Sequence, residues 1–315
     1  MKVLLIFVSF LLVLGTSNIY AGSDCFGNGC MPKEIQDSCI EKRSSGCLDW
    51  TNGIIYATGE GAPSDKAKNS SQKRLSARRA AEVIAQRNLL TMIEETNISS
   101  STTVKMGMVE NDEIKSSISG KLKQFEKIDE KVKSDGSVVV TLKMYLKDIM
   151  SVFYNNEQFK EKSSQTSQKQ VAVVAQPVPI EKKEVVASKP VDPNAVVYGG
   201  NSGTIYTGLI IDARGSGVKP AMSPKVYDTD GKEVYGSAAV ERSFALKLGI
   251  VGYAKDVNKA KSNDRVKGNP LILKANLKQG AKSSDLTITK TDADLLRQVE
   301  QSQTFLREAR VLILI

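Results

Sequence analysis

Residues 157–195 decide how this chain can fold, because they divide it. Glu, Lys, Ser, Gln, Val and Pro dominate there, and the run from Ser163 to Gln170 has neither a helical nor a strand period. Pro177, Pro179, Pro190 and Pro193 stiffen the second half towards an extended conformation. The stretch reads as a disordered linker, so a core has to be built separately on each side of it. Five parts follow: a signal peptide over 1–21, a disulfide-rich segment over 22–50, an α+β domain over 51–156, the linker over 157–195 and a β-rich domain over 196–315.

The first part opens with Lys2, continues through an apolar run from Val3 to Leu14 and ends on a polar stretch closing at Ala21. That is the layout of a secretory signal peptide cleaved after Ala21. The apolar run is shorter than the roughly 20 residues that cross a bilayer. No second run of that length follows, which predicts a periplasmic or outer-membrane-associated protein with no span in its mature chain. Asp24 immediately before Cys25 is a poor setting for lipid attachment, so the chain reads as unlipidated. Cys25, Cys30, Cys39 and Cys47 are all the cysteines present, and an even number in an exported chain predicts two disulfides. Three pairings are open. The absence of a Cys-x-x-Cys pair weighs against both a zinc site and a redox catalyst.

Composition then narrows the chemistry. The 315 residues include no His, which excludes Ser-His-Asp and Cys-His nucleophile systems and His-ligated metals. Aromatic residues are only 6% of the chain, few for ring-lined nucleotide or sugar sites. The net charge of +9 is uneven: residues 196–315 carry 18 Lys and Arg against 12 Asp and Glu, whereas 22–156 carry 19 against 18. A basic second domain has the means to contact an anionic polymer of the envelope.

Within the first domain, Gly53 to Gly61 reads as an apolar strand ending in glycines. Ser70 to Thr96 reads as a helix with Ala77, Ala81, Ile84, Ala85, Leu89, Leu90, Met92 and Ile93 on its buried face. Small residues on that face allow close approach to a sheet, and Asn97 can close the helix. A short helix is expected around Glu110 to Ser119. Lys123 to Lys133 and Val138 to Tyr145 alternate on either side of Asp135-Gly136, a hairpin signature, and a short helix follows to Phe153 and Tyr154.

Strands are predicted in the second domain at Thr204 to Asp212, Lys225 to Tyr227, Lys232 to Tyr235, Leu271 to Asn276, Asp285 to Thr289 and Arg310 to Leu314, with a helix starting near Asp292. The fold class is therefore α+β: a strand, long helix and hairpin first, then a mostly β mixed sheet with a helix near its end.

Two motifs invite a chemical reading. Gly59-Glu60-Gly61 before a helix lacks the third glycine and the parallel βαβ series of a nucleotide loop. Asp212 and Arg214, two apart at the end of an apolar strand, point to one side and can contact a polar ligand or a partner. Alternatively, Arg214 ties down the Gly-rich loop that follows, with Asp212 holding it. Paired carboxylates for glycoside cleavage would need an aromatic cleft, and the single Trp50 lies beside the cysteine segment. No residue is nominated as catalytic, cofactor-binding or metal-ligating, and no nucleic-acid partner is expected.

The strand, glycines and Ala-rich helix of Tyr56 to Met92, followed by a hairpin, resemble the Lpp-twenty family of bacterial envelope lipoproteins and the related N-terminal module of flagellar assembly protein T. The string from Tyr206 to Gly215, with Lys219-Pro220-Ala221, Ser223-Pro224-Lys225 and Asp230 to Gly236, is similar to the C-terminal region of longer members. The resemblance covers about residues 50–155 and 200–315. It implies a non-enzymatic envelope protein, a scaffold or assembly factor whose partners are envelope or flagellar basal-body proteins. The family supplies no catalytic residues, and the missing lipid-accepting Cys sets this chain apart from its lipoprotein members.

Overall fold

The computed structural model describes residues 30–156, 196–280 and 284–315. The predicted signal peptide, Cys25 and the predicted linker over 157–195 lie outside the described residues.

The first domain is organised by close contact between one strand and one helix. The strand β3 (Ile54–Gly61) and the helix α2 (Ser70–Glu94) run against each other. Ala77, Ala81 and Ala85 of α2 are fully buried. The reason is steric: a Cβ on Gly59 would lie 2.1 Å from the Ala85 amide nitrogen, and one on Gly61 would lie 2.2 Å from the Ala77 carbonyl oxygen. Only glycine on the strand and alanine on the helix permit that approach. The buried stripe is confined to Ala77, Ala81, Ala85, Leu89, Met92 and Ile93. Ile84, expected on the buried face, is exposed. The side chain of Asn69 accepts a hydrogen bond from the Gln72 amide and caps the start of the helix.

Four more strands complete this sheet, in the order β1-β2-β3-β5-β4 and antiparallel throughout. The hairpin of β4 (Glu126–Val132) and β5 (Val138–Tyr145) forms as expected, with Gly136 at φ 82° in its turn. The edge strand β4 is charged, and Arg78 donates two hydrogen bonds to Glu130, at 2.8 and 2.6 Å, from α2. Charge on an edge strand discourages pairing with another chain. Before the sheet comes the short helix α1 (Lys33–Ser38), and two more helices, α3 (Val104–Glu110) and α4 (Asp112–Leu122), replace the single one expected. The domain closes with α5 (Leu146–Asn155).

The cysteine segment does more than trail from the domain. Its strands β1 (Glu41–Arg43) and β2 (Gly46–Asp49) are sheet members, and β2 pairs with β3. Cys39 and Cys47 are joined by a disulfide. They pack with Met31 and Tyr56 into a small apolar cluster on the sheet face opposite α2. Cys30 is also disulfide-bonded.

The second domain holds two four-stranded sheets. In the first, β6 (Leu209–Asp212), β9 (Gly252–Ala254), β10 (Leu271–Lys274) and β13 (Val311–Leu314) are parallel in the order β10-β6-β13-β9. Parallel pairing requires crossovers, and these carry α6 (Arg242–Leu248), α7 (Val257–Ser262) and α8 (Lys290–Glu300). The second sheet, mixed in direction, has the order β11-β12-β7-β8, with β7 (Val226–Tyr227), β8 (Glu233–Tyr235), β11 (Asn276–Leu277) and β12 (Leu286–Thr287). The expected single mixed sheet is thus two. Strand β9 and helices α6 and α7 went unpredicted because elements of three to seven residues are too short to show a period.

The two domains share one apolar core, in which Trp50, Leu146 and Phe153 of the first meet Met222, Ala245 and Tyr253 of the second. Trp50 stands edge-on to Tyr253 with ring centres 5.4 Å apart. Main chain joins main chain as well: the Met222 amide donates to the Asn97 carbonyl at 3.0 Å, and the Ser223 amide to the Ile98 carbonyl at 2.7 Å. Asn97, expected to end α2, serves this joint, while Glu95 occupies the C-cap. The Ser100 hydroxyl donates to Asp285 at 2.7 Å, Arg242 to Asn155 at 2.6 Å and Lys255 to the Cys39 carbonyl at 3.0 Å. A chain cut at a protease site engineered between residues 157 and 195 is therefore expected to elute from a sizing column as one species. Met222→Asp, which puts a charge into the shared core, is expected to let the halves separate.

Candidate functional site

Between the domains lies a cavity of about 590 Å³, a size that accommodates a small organic ligand. The first domain lines it with Trp50 to Gly53, which follow β2, and with Tyr145 to Lys147 and Met150 at the start of α5. The second supplies Ala221 and Met222 from the joint, Phe244 and Lys247 to Gly249 around the end of α6, and Asn263 to Arg265 after α7. Val251, Glu308 and Arg310 complete the wall just before β9 and β13 begin. The cavity thus opens at the amino ends of the parallel strands.

Its floor is apolar and its cations are unevenly neutralised. Arg310 pairs with Glu308 at 3.1 Å, and Asp264 is engaged by Lys267 at 3.1 Å. Arg265 has a different setting: it donates to the carbonyls of Ala309 at 2.8 Å, Gly249 at 3.4 Å and Leu248, all backbone acceptors. Burial pushes its guanidinium pKa below the usual value, with the neighbouring Tyr235 acting the other way. Lys147, from the first domain, rests 5.1 Å from the centre of the Tyr145 ring. Lys247, from the second, is exposed. Among the described residues, Lys147, Lys247 and Arg265 form no ion pair with a carboxylate.

Asp212 and Arg214 sit elsewhere, at the carboxyl end of β6 and so at the opposite end of the parallel sheet. Arg214 clasps Asp212 through Nε at 2.9 Å and Nη2 at 2.8 Å, and its amide donates to the same carboxylate at 3.2 Å. The Tyr198 hydroxyl adds a fourth donor at 2.5 Å. With both oxygens occupied and the Asp212 side chain only 1% exposed, the carboxylate has no lone pair aimed at solvent. Arg214, then Tyr198, hold the Asp212 carboxyl well below the usual carboxylate range despite its burial. The pair ties the end of the central strand to the turn after it and to the segment before it; it contributes nothing to the cavity.

A hydroxyl on α5 is among the buried polar groups that have no partner among the described residues. The Tyr154 hydroxyl on α5 is buried with no hydrogen bond, and desolvation pushes its pKa far up. Among the described residues no cluster of three His, Cys, Asp or Glu side chains is gathered to hold a metal, and no helix is long and apolar enough to cross a membrane.

The cavity residues come from six separate stretches of chain, which is why motif reading did not assemble them. The single Trp was the one available signal, since a lone large ring beside a polar loop marks a buried anchor. Comparison with known proteins bears on the second domain alone. Residues 208–315 match the family of the second domain of Treponema pallidum Tp0624. The matched stretch begins just before β6 and runs through β13, so it contains both sheets, the Asp212–Arg214 clasp and the second domain's share of the cavity wall. No curated protein matches the chain.

The clasp generates a pH-dependent expectation. A carboxyl whose pKa is depressed on folding stabilises the fold above its unfolded value of about 4, and that contribution is lost as pH falls below it. Asp212→Asn is expected to cost about 2 kcal/mol at pH 7, less than the 3–5 of a fully buried broken pair because Arg214 is 39% exposed and can be rehydrated. Urea unfolding from pH 7 to pH 3 should show the gap between variant and parent closing only below pH 4.

Proposed function

We propose that this protein is a non-enzymatic, exported component of the cell envelope that works as a scaffold or assembly factor, with envelope or flagellar basal-body proteins as its partners. The observation that carries this reading is the joint: two domains separated by 39 residues of chain meet through a common core and through main-chain hydrogen bonds between Met222, Ser223 and the Asn97–Ile98 segment. A body of that kind holds its outer surfaces in fixed relation, which is what a scaffold requires. The Cys39–Cys47 disulfide suits an oxidising compartment, and the signal-peptide layout and the resemblance to the Lpp-twenty family support the same assignment.

A second reading, a module that holds an anionic envelope polymer through the basic second domain, is favoured by the surplus of 18 basic over 12 acidic residues there. The two separate experimentally. Crosslinking in intact envelopes followed by mass spectrometry is expected to recover envelope or motor proteins with the chain; recovery of free monomer alone would end the scaffold reading. Pull-down on purified peptidoglycan or lipopolysaccharide, released by about 0.5 M salt as screening predicts, would instead support the polymer module.

A further inference from the structure

We propose that the cavity between the two domains is a binding site for a small amphipathic anion: an acyl or comparable apolar body of roughly ten carbons that ends in a carboxylate or phosphate. The inference goes beyond the scaffold reading and rests on the composition of the cavity.

The volume of about 590 Å³, open to solvent on one side, is the size of a cleft that takes a small organic ligand. Its wall divides by chemistry. Met150, Met222, Phe244, Leu248 and Val251 offer apolar surface beside Trp50, and Leu248 remains 38% exposed. An apolar side chain left that open beside a cavity is stabilised when a ligand covers it.

The polar part carries a charge imbalance that a ligand would correct. Four cations and two carboxylates line the space, and both carboxylates are engaged, Glu308 by Arg310 and Asp264 by Lys267. Lys147, Lys247 and Arg265 are left without an acidic partner among the described residues. Arg265 is the most telling of the three. Its guanidinium is held in place by the carbonyls of Leu248, Gly249 and Ala309, which fix its direction without neutralising it. A partly buried, oriented cation with no carboxylate partner is a preformed receptor for an anionic group. Lys147 and Lys247 approach from different domains, so an anion bound here would bridge the joint and be bound only while the domains are docked.

The test uses the intact, oxidised chain. Trp50 is its only tryptophan and lines the cavity, so its fluorescence reports occupancy directly. Titration with decanoate, checked by calorimetry, is expected to give a saturable change at one ligand per chain. Decyltrimethylammonium, of equal length and opposite charge, and inorganic phosphate, without the apolar body, are each expected to bind at least tenfold more weakly. The double variant Lys147→Glu/Lys247→Glu changes two exposed side chains and should keep the parent melting temperature while weakening decanoate about tenfold or more. Leu248→Glu is a second variant at the exposed wall, with the same expected loss. The proposal is overturned by no saturable response, by equal affinity for the cationic amphiphile or for phosphate alone, or by variants that bind decanoate as the parent does. None of these results alters the crosslinking outcome that decides the scaffold reading.

Discussion

Everything in this molecule is set out from the place where Gly59 and Gly61 of a strand receive Ala77, Ala81 and Ala85 of a helix. A Cβ at either glycine would collide with helix backbone, so the separation of helix and sheet is dictated by two missing side chains. That separation seats α2 from Ala77 to Ile93. The seat of α2 in turn places the residues after its C-terminus, Asn97 and Ile98, whose carbonyls accept the amides of Met222 and Ser223. Joint and cavity follow from that placement. A methyl group added at Gly59 would therefore be felt at a domain with which the glycine shares no contact.

The joint itself combines unlike contributions. Burial of Trp50 against Tyr253 and of Phe153 within the common core supplies the non-directional part of the attraction. The two main-chain hydrogen bonds, with the Tyr253 hydroxyl bonded to both the amide and the carbonyl of Ala221 at 2.9 and 2.8 Å, set the register. Against these stands the buried, unpartnered Tyr154 hydroxyl, a cost of about 1–3 kcal/mol for a group of this kind. Tyr154→Phe would remove the cost and leave the ring packing in place.

How much of this was legible depended on how local the determining pattern was. The strand, the alanine-striped helix and the Asp135-Gly136 hairpin could be read because each repeats a period over seven or more residues. Asp212 and Arg214 could be paired on paper because positions two apart on a strand share a side; their closure on each other and on Tyr198 needed the fold. Strands β1 and β2 are three and four residues long, below the length at which alternation shows. The cavity was least legible. Trp50, Lys147, Lys247 and Arg265 are ordinary residues in their own surroundings, and only the joint makes them neighbours of one space.

The position of β13 has a consequence for how such a chain matures. It lies between β6 and β9, although it is the last of the four parallel strands in chain order. The sheet therefore stays divided until residues 311–314 have been synthesised. Until then β6 and β9 each present an open apolar edge, a condition in which parallel sheets are slow to close and prone to pair wrongly. The strands of the first domain all precede β6 in the chain and pair only with one another. Asn97 and Ile98, whose carbonyls receive the Met222 and Ser223 amides, are therefore present in the chain before the parallel sheet can close.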